Sequence, residues 1–301
     1  MMRKLLLLGM AGLVAQFVDG ALGMGYGVTS SSMLLVVGLS PALASASVHL
    51  SEIGTNAASA LAHVRLGNVD RAMVIWLGVP GAVGAFLGAT VLSSVPTDAG
   101  APIMSGLLAC LGGYILVRFT WRPPTLLGST GHSARFLAPL GVIGGFVDAT
   151  GGGGWGPVTT TTLLSAGRST PRRVIGSVST AEFLVSSAAS AGFLLGLGTS
   201  GISLGIVLVL LAGGVVAAPL AALVVSKVPA RIMGVIVGGM IVVVNLRVIL
   251  DGVGFHGGVH QVVILVMVVA WAGLVGNVIR VHRRVSSAAE TPRMLVGVGN
   301  E

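Results

Sequence analysis

The chain has 301 residues, of which 54% are hydrophobic and only 9% are charged. Soluble domains carry about 25% charged residues, so this composition cannot build a water-facing surface and excludes a soluble fold. The formal net charge of +8 lies in short loops and a C-terminal tail, a pattern of membrane topology and lipid contact rather than of nucleic-acid binding. Apolar stretches long enough to cross a hydrocarbon core of about 30 Å recur along the chain, and strand-like alternation is absent. The predicted fold class is therefore all-α, a polytopic membrane protein.

Hydrophobic segments predict helices at about 5–22, 27–38, 42–64, 71–95 and 101–119. The first resembles a signal peptide, but it contains a repeat motif and no small-residue cleavage site precedes that motif, so it reads as retained structure. A polar linker follows, with Pro123-Pro124 and Gly128. A second set falls at about 136–149, 155–167, 174–197, 201–225 and 231–250, and a last helix at about 260–279 has no counterpart. The chain thus divides into a first membrane repeat (1–121), the linker (122–135), a second repeat (136–250), an extra C-terminal transmembrane helix (251–280) and a basic, polar tail (281–301). Gly84-x-x-x-Gly88 and Gly234-x-x-x-Gly238 are expected where helices approach closely. Cys110, alone of its kind, excludes an internal disulfide, and its apolar context predicts a packing residue.

Two stretches show the duplication. Phe17-Val18-Asp19-Gly20-Ala21-Leu22-Gly23-Met24-Gly25-Tyr26-Gly27 returns about 129 residues later as Phe146-Val147-Asp148-Ala149-Thr150-Gly151-Gly152-Gly153-Gly154-Trp155-Gly156. Each copy sets an acid, glycines and one aromatic inside apolar sequence, and hydroxyl residues follow (Thr29 to Ser32, Thr159 to Thr162). Further on, Ser47-Val48-His49-Leu50-Ser51-Glu52 aligns with Ser177-Val178-Ser179-Thr180-Ala181-Glu182. Loop charges alternate along both copies with opposite phase: the loop bearing Arg65 and Arg71 matches an uncharged one at 198–201, and the uncharged 39–41 matches one with Arg168, Arg172 and Arg173. Because Lys and Arg stay cytoplasmic, the two repeats are expected to be inverted. Each would be a broken or re-entrant glycine-rich hairpin followed by three transmembrane helices, with the C-terminus cytoplasmic in a plasma or inner cell membrane.

A helix broken at glycines exposes unpaired N–H groups and the positive end of its dipole, which suits an anion. Glycines without Cβ atoms let a ligand approach those donors. The expected substrate-binding residues are Gly23, Gly25, Tyr26 and Gly27 with Thr29, Ser30 and Ser31 in the first copy. In the second they are Gly151, Gly152, Gly153, Gly154 and Trp155 with Thr159, Thr160 and Thr161. Asn56, one turn beyond Glu52, and Ser186 in the matching place are expected to line the same cavity. Four acids, Asp19, Glu52, Asp148 and Glu182, lie within apolar segments. An ionised carboxylate at the bilayer centre costs about 2.5–3.5 kcal/mol, so the four are expected to be neutralised and to act as proton carriers. His49, three residues before Glu52, shares its helix face and is a candidate relay. Carboxylates kept ionised would instead suit a cation, which leaves a cation transporter or channel as the alternative.

The run Gly151-Gly152-Gly153-Gly154-Trp155-Gly156-Pro157 with its threonines, together with the weaker first copy, resembles the TauE/SafE-type sulfite exporter family over about residues 10–280. The first copy departs from that pattern, with Met24 and Tyr26 among its glycines and Val28 in place of a proline. The resemblance implies a permease or exporter for a small sulfur-containing anion such as sulfite or an organosulfonate. No cofactor and no metal are expected. An enzyme is not expected either: the chain has no His-Glu-x-x-His, no Gly-x-Ser-x-Gly, and six scattered histidines.

Overall fold

A computed structural model describes residues 2–22, 24–121, 131–199, 202–225, 230–255 and 257–296. Gly23, most of the linker, the segment 226–229 with Lys227, and the last residues of the tail lie outside the described residues. The described chain is helical throughout, with no strand. In order, α1 is Met2–Leu22, α2 Tyr26–Val36, α3 Pro41–Arg65, α4 Arg71–Ser94 and α5 Thr97–Trp121. After the linker come α6 (Ala134–Gly151) and α7, a π turn Gly156–Thr160 that continues as Thr161–Ala166. Then follow α8 Pro171–Leu197, α9 Leu204–Val225, α10 Ala230–Gly252 and α11 Gly258–Val296.

Five of these helices have the length and apolar character to cross a membrane: α4, α5, α8, and most of α10 and α11. α2 does not cross. Its 11 residues rise only about 16 Å, half of a hydrocarbon core. It turns back from the end of α1 and runs along the first half of α3, where the Tyr26 hydroxyl lies 3.1 Å from Ser51 Oγ. α7 does the same against α8, with the Trp155 indole N–H donating to the Val178 carbonyl at 3.1 Å. Each glycine break therefore sits level with the middle of a long helix.

Helices in matching places of the two halves run antiparallel. On α3 and α8, Asn56 bonds to Ser186 and Ser59 to Ser179, rising numbers on one meeting falling numbers on the other. On α5 and α10, Gly112 backs onto Ile241, Leu116 onto Gly238 and Phe119 onto Gly234. Two further strong pairings interchange with the halves, α4 on α6 and α9 on α1, whereas α4 packs closely on α8 and the counterpart pair, α9 and α3, packs much less. Both expected small-residue motifs lie in such seams. A Cβ on Gly84 would stand 2.1 Å from the Val142 carbonyl oxygen, and one on Gly238 would stand 2.6 Å from the Leu116 nitrogen. Cys110 is not a packing residue; it points outward from α5.

Two apolar cores flank the centre. One joins α1, α2, α5 and α10, with Leu34, Met104, Leu108 and Ile241 fully buried. The other joins α4, α6, α7 and α8 around Trp155, Leu77, Leu137 and Phe193. The glycine tips meet between them. α11 stands outside both, with only 6% of its apolar span buried.

Candidate functional site

The two tips cross backbone to backbone. A Cβ on Gly153 would lie 2.1 Å from both the Gly27 carbonyl carbon and the Val28 nitrogen, and one on Gly27 would lie 2.6 Å from Gly153 Cα. Gly153 also has φ 147°, and Gly25, which opens α2, has φ 111°. Only glycine satisfies both demands at Gly153, conformation and clearance. The cavity left where the tips touch Asp148, Trp155 and Glu182 is about 10 Å³. That is the room of one water at most.

Asp148 fills the place that the glycine-run argument reserves for an anion. Its Oδ1 accepts from the Gly154 N–H at 2.6 Å and the Trp155 N–H at 2.9 Å, so the donors at the start of α7 are capped by the chain's own carboxyl. Asp19 takes the matching place in the other half, close to the Tyr26 backbone at the start of α2. Gly151 and Gly152 are buried beside the second break. The hydroxyls are largely spoken for as well. Ser30 donates to the Tyr26 carbonyl at 2.6 Å and Thr159 to the Trp155 carbonyl at 2.5 Å. Thr161 donates to Pro157, and Ser31 reaches across the crossing to the Gly152 carbonyl. Such bonds to preceding carbonyls are what Ser and Thr ordinarily do inside helices. Thr29 Oγ1 is buried with no partner, and Thr160 faces a cavity described below.

His49 does not pair with Glu52, its neighbour on α3. It reaches the other half, where Nε2 lies 3.1 Å from Asp148 Oδ2, while Nδ1 donates to the Ser45 carbonyl at 2.8 Å. With Nδ1 committed as a donor, the contact between Nε2 and Oδ2 holds one proton, on either the imidazole or the carboxyl. The pair is fully buried and fixes α3 to the second tip. Glu52 sits at the crossing itself, its Oε1 3.3 Å from the place a Cβ on Gly27 would occupy. It lies beside Ser186, whose hydroxyl donates to the Glu182 carbonyl at 2.8 Å and accepts from Asn56 at 3.1 Å. Glu182 lies within electrostatic reach of Glu52, Asp148 and Asp19. All four acids therefore converge on one region.

A cavity of about 280 Å³ leads to that region from one end of the bundle. Gln16, Asp19, Ser59, His63, Ser179 and Glu182 line it, with Gly156 and Thr160 at its floor. Gln16, Ser59, His63 and Ser179 were not legible as site residues. His63 lies near Arg65 at the end of α3, and only the hairpin that brings α1, α3, α7 and α8 together turns it inward. Helix periodicity carries the signal for two of them: Ser59 and His63 lie two and three turns beyond Glu52, on the Glu52 side of α3.

The profile of the family described as "Sulfite exporter TauE/SafE" matches residues 8–248. The "Probable membrane transporter protein YtnM" of Bacillus subtilis (strain 168) is 46% identical over 276 residues, covering 91% of this chain and 92% of that protein. No solved structure matches the chain. The family match runs from the first hairpin to near the end of α10 and so takes in both glycine tips and all four acids: the chain belongs to the TauE/SafE sulfite exporter family and is a membrane transporter, not an enzyme.

Proposed function

We propose that this transporter moves a small sulfur oxyanion, sulfite or a short organosulfonate, together with protons, through two inverted repeats that share the crossed tips. The observation that carries the reading is the cavity lined by Asp19 and Glu182, which ends where Glu52, Asp148 and both tips converge. Its volume of about 280 Å³ lies at the small end of ligand pockets, which suits an ion of few heavy atoms. The backbone donors of the second tip are held by Asp148, and Asp19 stands beside Tyr26 at the first, so an anion gains access to the second tip only when a proton neutralises or displaces a carboxylate. Proton and anion would then travel together. A cation is the second reading, favoured by Asp19 and Glu182 standing in the cavity wall without an Arg or Lys among its lining residues.

Sidedness follows from the loop charges. Arg65, Arg71, Arg168, Arg172 and Arg173 flank the loops at the end onto which the cavity opens, whereas Arg247 lies toward the other end. Arg172 bonds Asn68 and the Leu66 carbonyl, tying those two loops together. By the positive-inside rule that end is cytoplasmic. With Cys110 replaced, single cysteines at Leu66 and Leu204, both well exposed, are expected to label from opposite faces of oriented vesicles. Labelling from one face would speak for parallel repeats.

The test of transport is flux in proteoliposomes. Sulfite or organosulfonate uptake should rise with an imposed proton gradient, and Glu182→Gln should lower the gradient-driven part by about a hundredfold, the scale of losing a positioned proton carrier. Unchanged coupling in Glu182→Gln removes that carboxyl from the mechanism. Flux of a cation with no anion dependence supports the second reading instead.

A further inference from the structure

The cavity has a hidden counterpart. Exchange of the halves by the repeat register takes its lining residues Asp19, Ser59, His63, Ser179 and Glu182 to Asp148, Ala189, Phe193, His49 and Glu52. The first five are all partly exposed. The second five are all buried, with relative exposures of 2%, 0%, 0%, 0% and 3%. One end of the pseudo-symmetric passage is therefore open and the other filled.

The residues that fill it are those in which the halves differ most. Where the open side has Ser179, the filled side has His49, whose imidazole bonds Asp148 at 3.1 Å and Ser45. Where the open side has His63, the filled side has Phe193, its ring centroid 6.0 Å from that of His49. The imidazole and the phenyl ring are both fully buried at positions whose counterparts line the cavity on the other side, and the His49–Asp148 contact ties α3 to the second tip. Ser45 reinforces the closure by donating to the Ala149 carbonyl at 2.7 Å.

We infer that His49, Phe193 and Asp148 form a gate at the end opposite the cavity, and that opening it requires the His49–Asp148 contact to break. This rests on the inverted-repeat reading and deepens it, because it names the residues whose movement exposes the site to the second face. The substrate's route on that side passes between α3 and α8, past Glu52, as the open cavity passes Glu182. Two passages that share an Asp and a Glu at matching places but differ at Ser179/His49, His63/Phe193 and Ser59/Ala189 also explain why the molecule rests with only one of them open. The filled side carries a hydrogen-bonded pair and an aromatic contact that the open side lacks, and a few kcal/mol of such difference is enough to populate one state.

Cysteine accessibility tests this in full-length protein with Cys110 replaced by Ala. A membrane-impermeant maleimide should label Ser59→Cys from one face and leave Ala189→Cys unlabelled from either. His49→Ser and Phe193→His, which install the residues of the open side, should each make Ala189→Cys react about tenfold faster, from the face opposite Ser59→Cys, as the closed state loses its advantage. Ser59→Cys labelling in the same variants reports that they remain folded, and each variant stands as a test without the other. The gate is refuted if Ala189→Cys stays silent in both variants, or if it labels in the parent as fast as Ser59→Cys. Labelling of Ala189→Cys from the same face as Ser59→Cys would refute the inverted repeat as well, whereas silence at Ala189 with opposite-face labelling at Leu66 and Leu204 would remove the gate alone.

Discussion

Gly153→Ala is expected to lower stability by about 3 kcal/mol or more, enough to shift the unfolding midpoint by many degrees or prevent folding. The methyl group would meet the Gly27 carbonyl carbon and the Val28 nitrogen at 2.1 Å, and both are backbone atoms that cannot swing aside. The φ of 147° adds strain that any L side chain feels. Relief requires the two tips to part, which takes apart the place where all four acids meet. Gly113→Ala is the control. It lies in α5 with nothing within 4 Å of an added Cβ, and there alanine should be neutral or stabilising by up to about 1 kcal/mol through helix propensity. Thermal unfolding of both variants in detergent measures the difference. Equal midpoints would mean that the tips do not touch. A leucine at Gly153 would act at the crossing as a wedge that loses the fold before it can block a ligand.

Asp148→Ala should be the next most damaging change. It strips the partner from the Gly154 and Trp155 N–H groups and from His49 Nε2, all in a buried setting. Removing one member of such a network costs about 3–5 kcal/mol. Asp148→Asn separates the capping role from the charge. The amide oxygen can still accept from Gly154 and Trp155, and the amide N–H can donate to a neutral His49, so stability should fall by only about 1 kcal/mol. A proton shared within the pair would be lost in the asparagine variant, and gradient-driven flux should fall while the unfolding midpoint shifts by only a few degrees. Equal loss of stability in both variants would show that charge, and not the hydrogen-bond geometry, secures the tip.

The sequence announces its helices because their signal is local. Segments read from apolar length, such as 174–197 and 231–250, coincide with α8 and α10 to within a few residues. The broken elements are legible for a related reason, since an acid, glycines and an aromatic have no ordinary place inside a lipid-spanning run. What the glycines are for is less legible. Their freed N–H groups would suit a ligand, but a carboxyl six or seven residues earlier reaches them first, because the break folds it back over the start of the next helix. Likewise, helix periodicity pairs His49 with Glu52, three residues away. Its actual partner, Asp148, is 99 residues off and becomes a neighbour only when the halves interlock. Cys110 and His63 show the same limit in opposite directions: apolar surroundings in sequence do not distinguish a face toward lipid from a face toward protein, and a polar residue near a helix end can still point into a cavity. Length, pattern and breaks are properties of one segment, whereas facing is a property of two.

The contact between Gly27 and Gly153 has a mechanical consequence. Most helix junctions are locked by side chains that must disengage, rotamer by rotamer, before one helix can roll on its neighbour. Here two strips of bare main chain bear on each other, with Ser31 hydrogen-bonded across them to the Gly152 carbonyl, so the joint behaves as a hinged fulcrum. Rocking about it strains that one bond rather than a set of interdigitated side chains. The resistance to motion then comes from the flanking bundles, which can be tuned by substitution while the bearing surface stays unchanged.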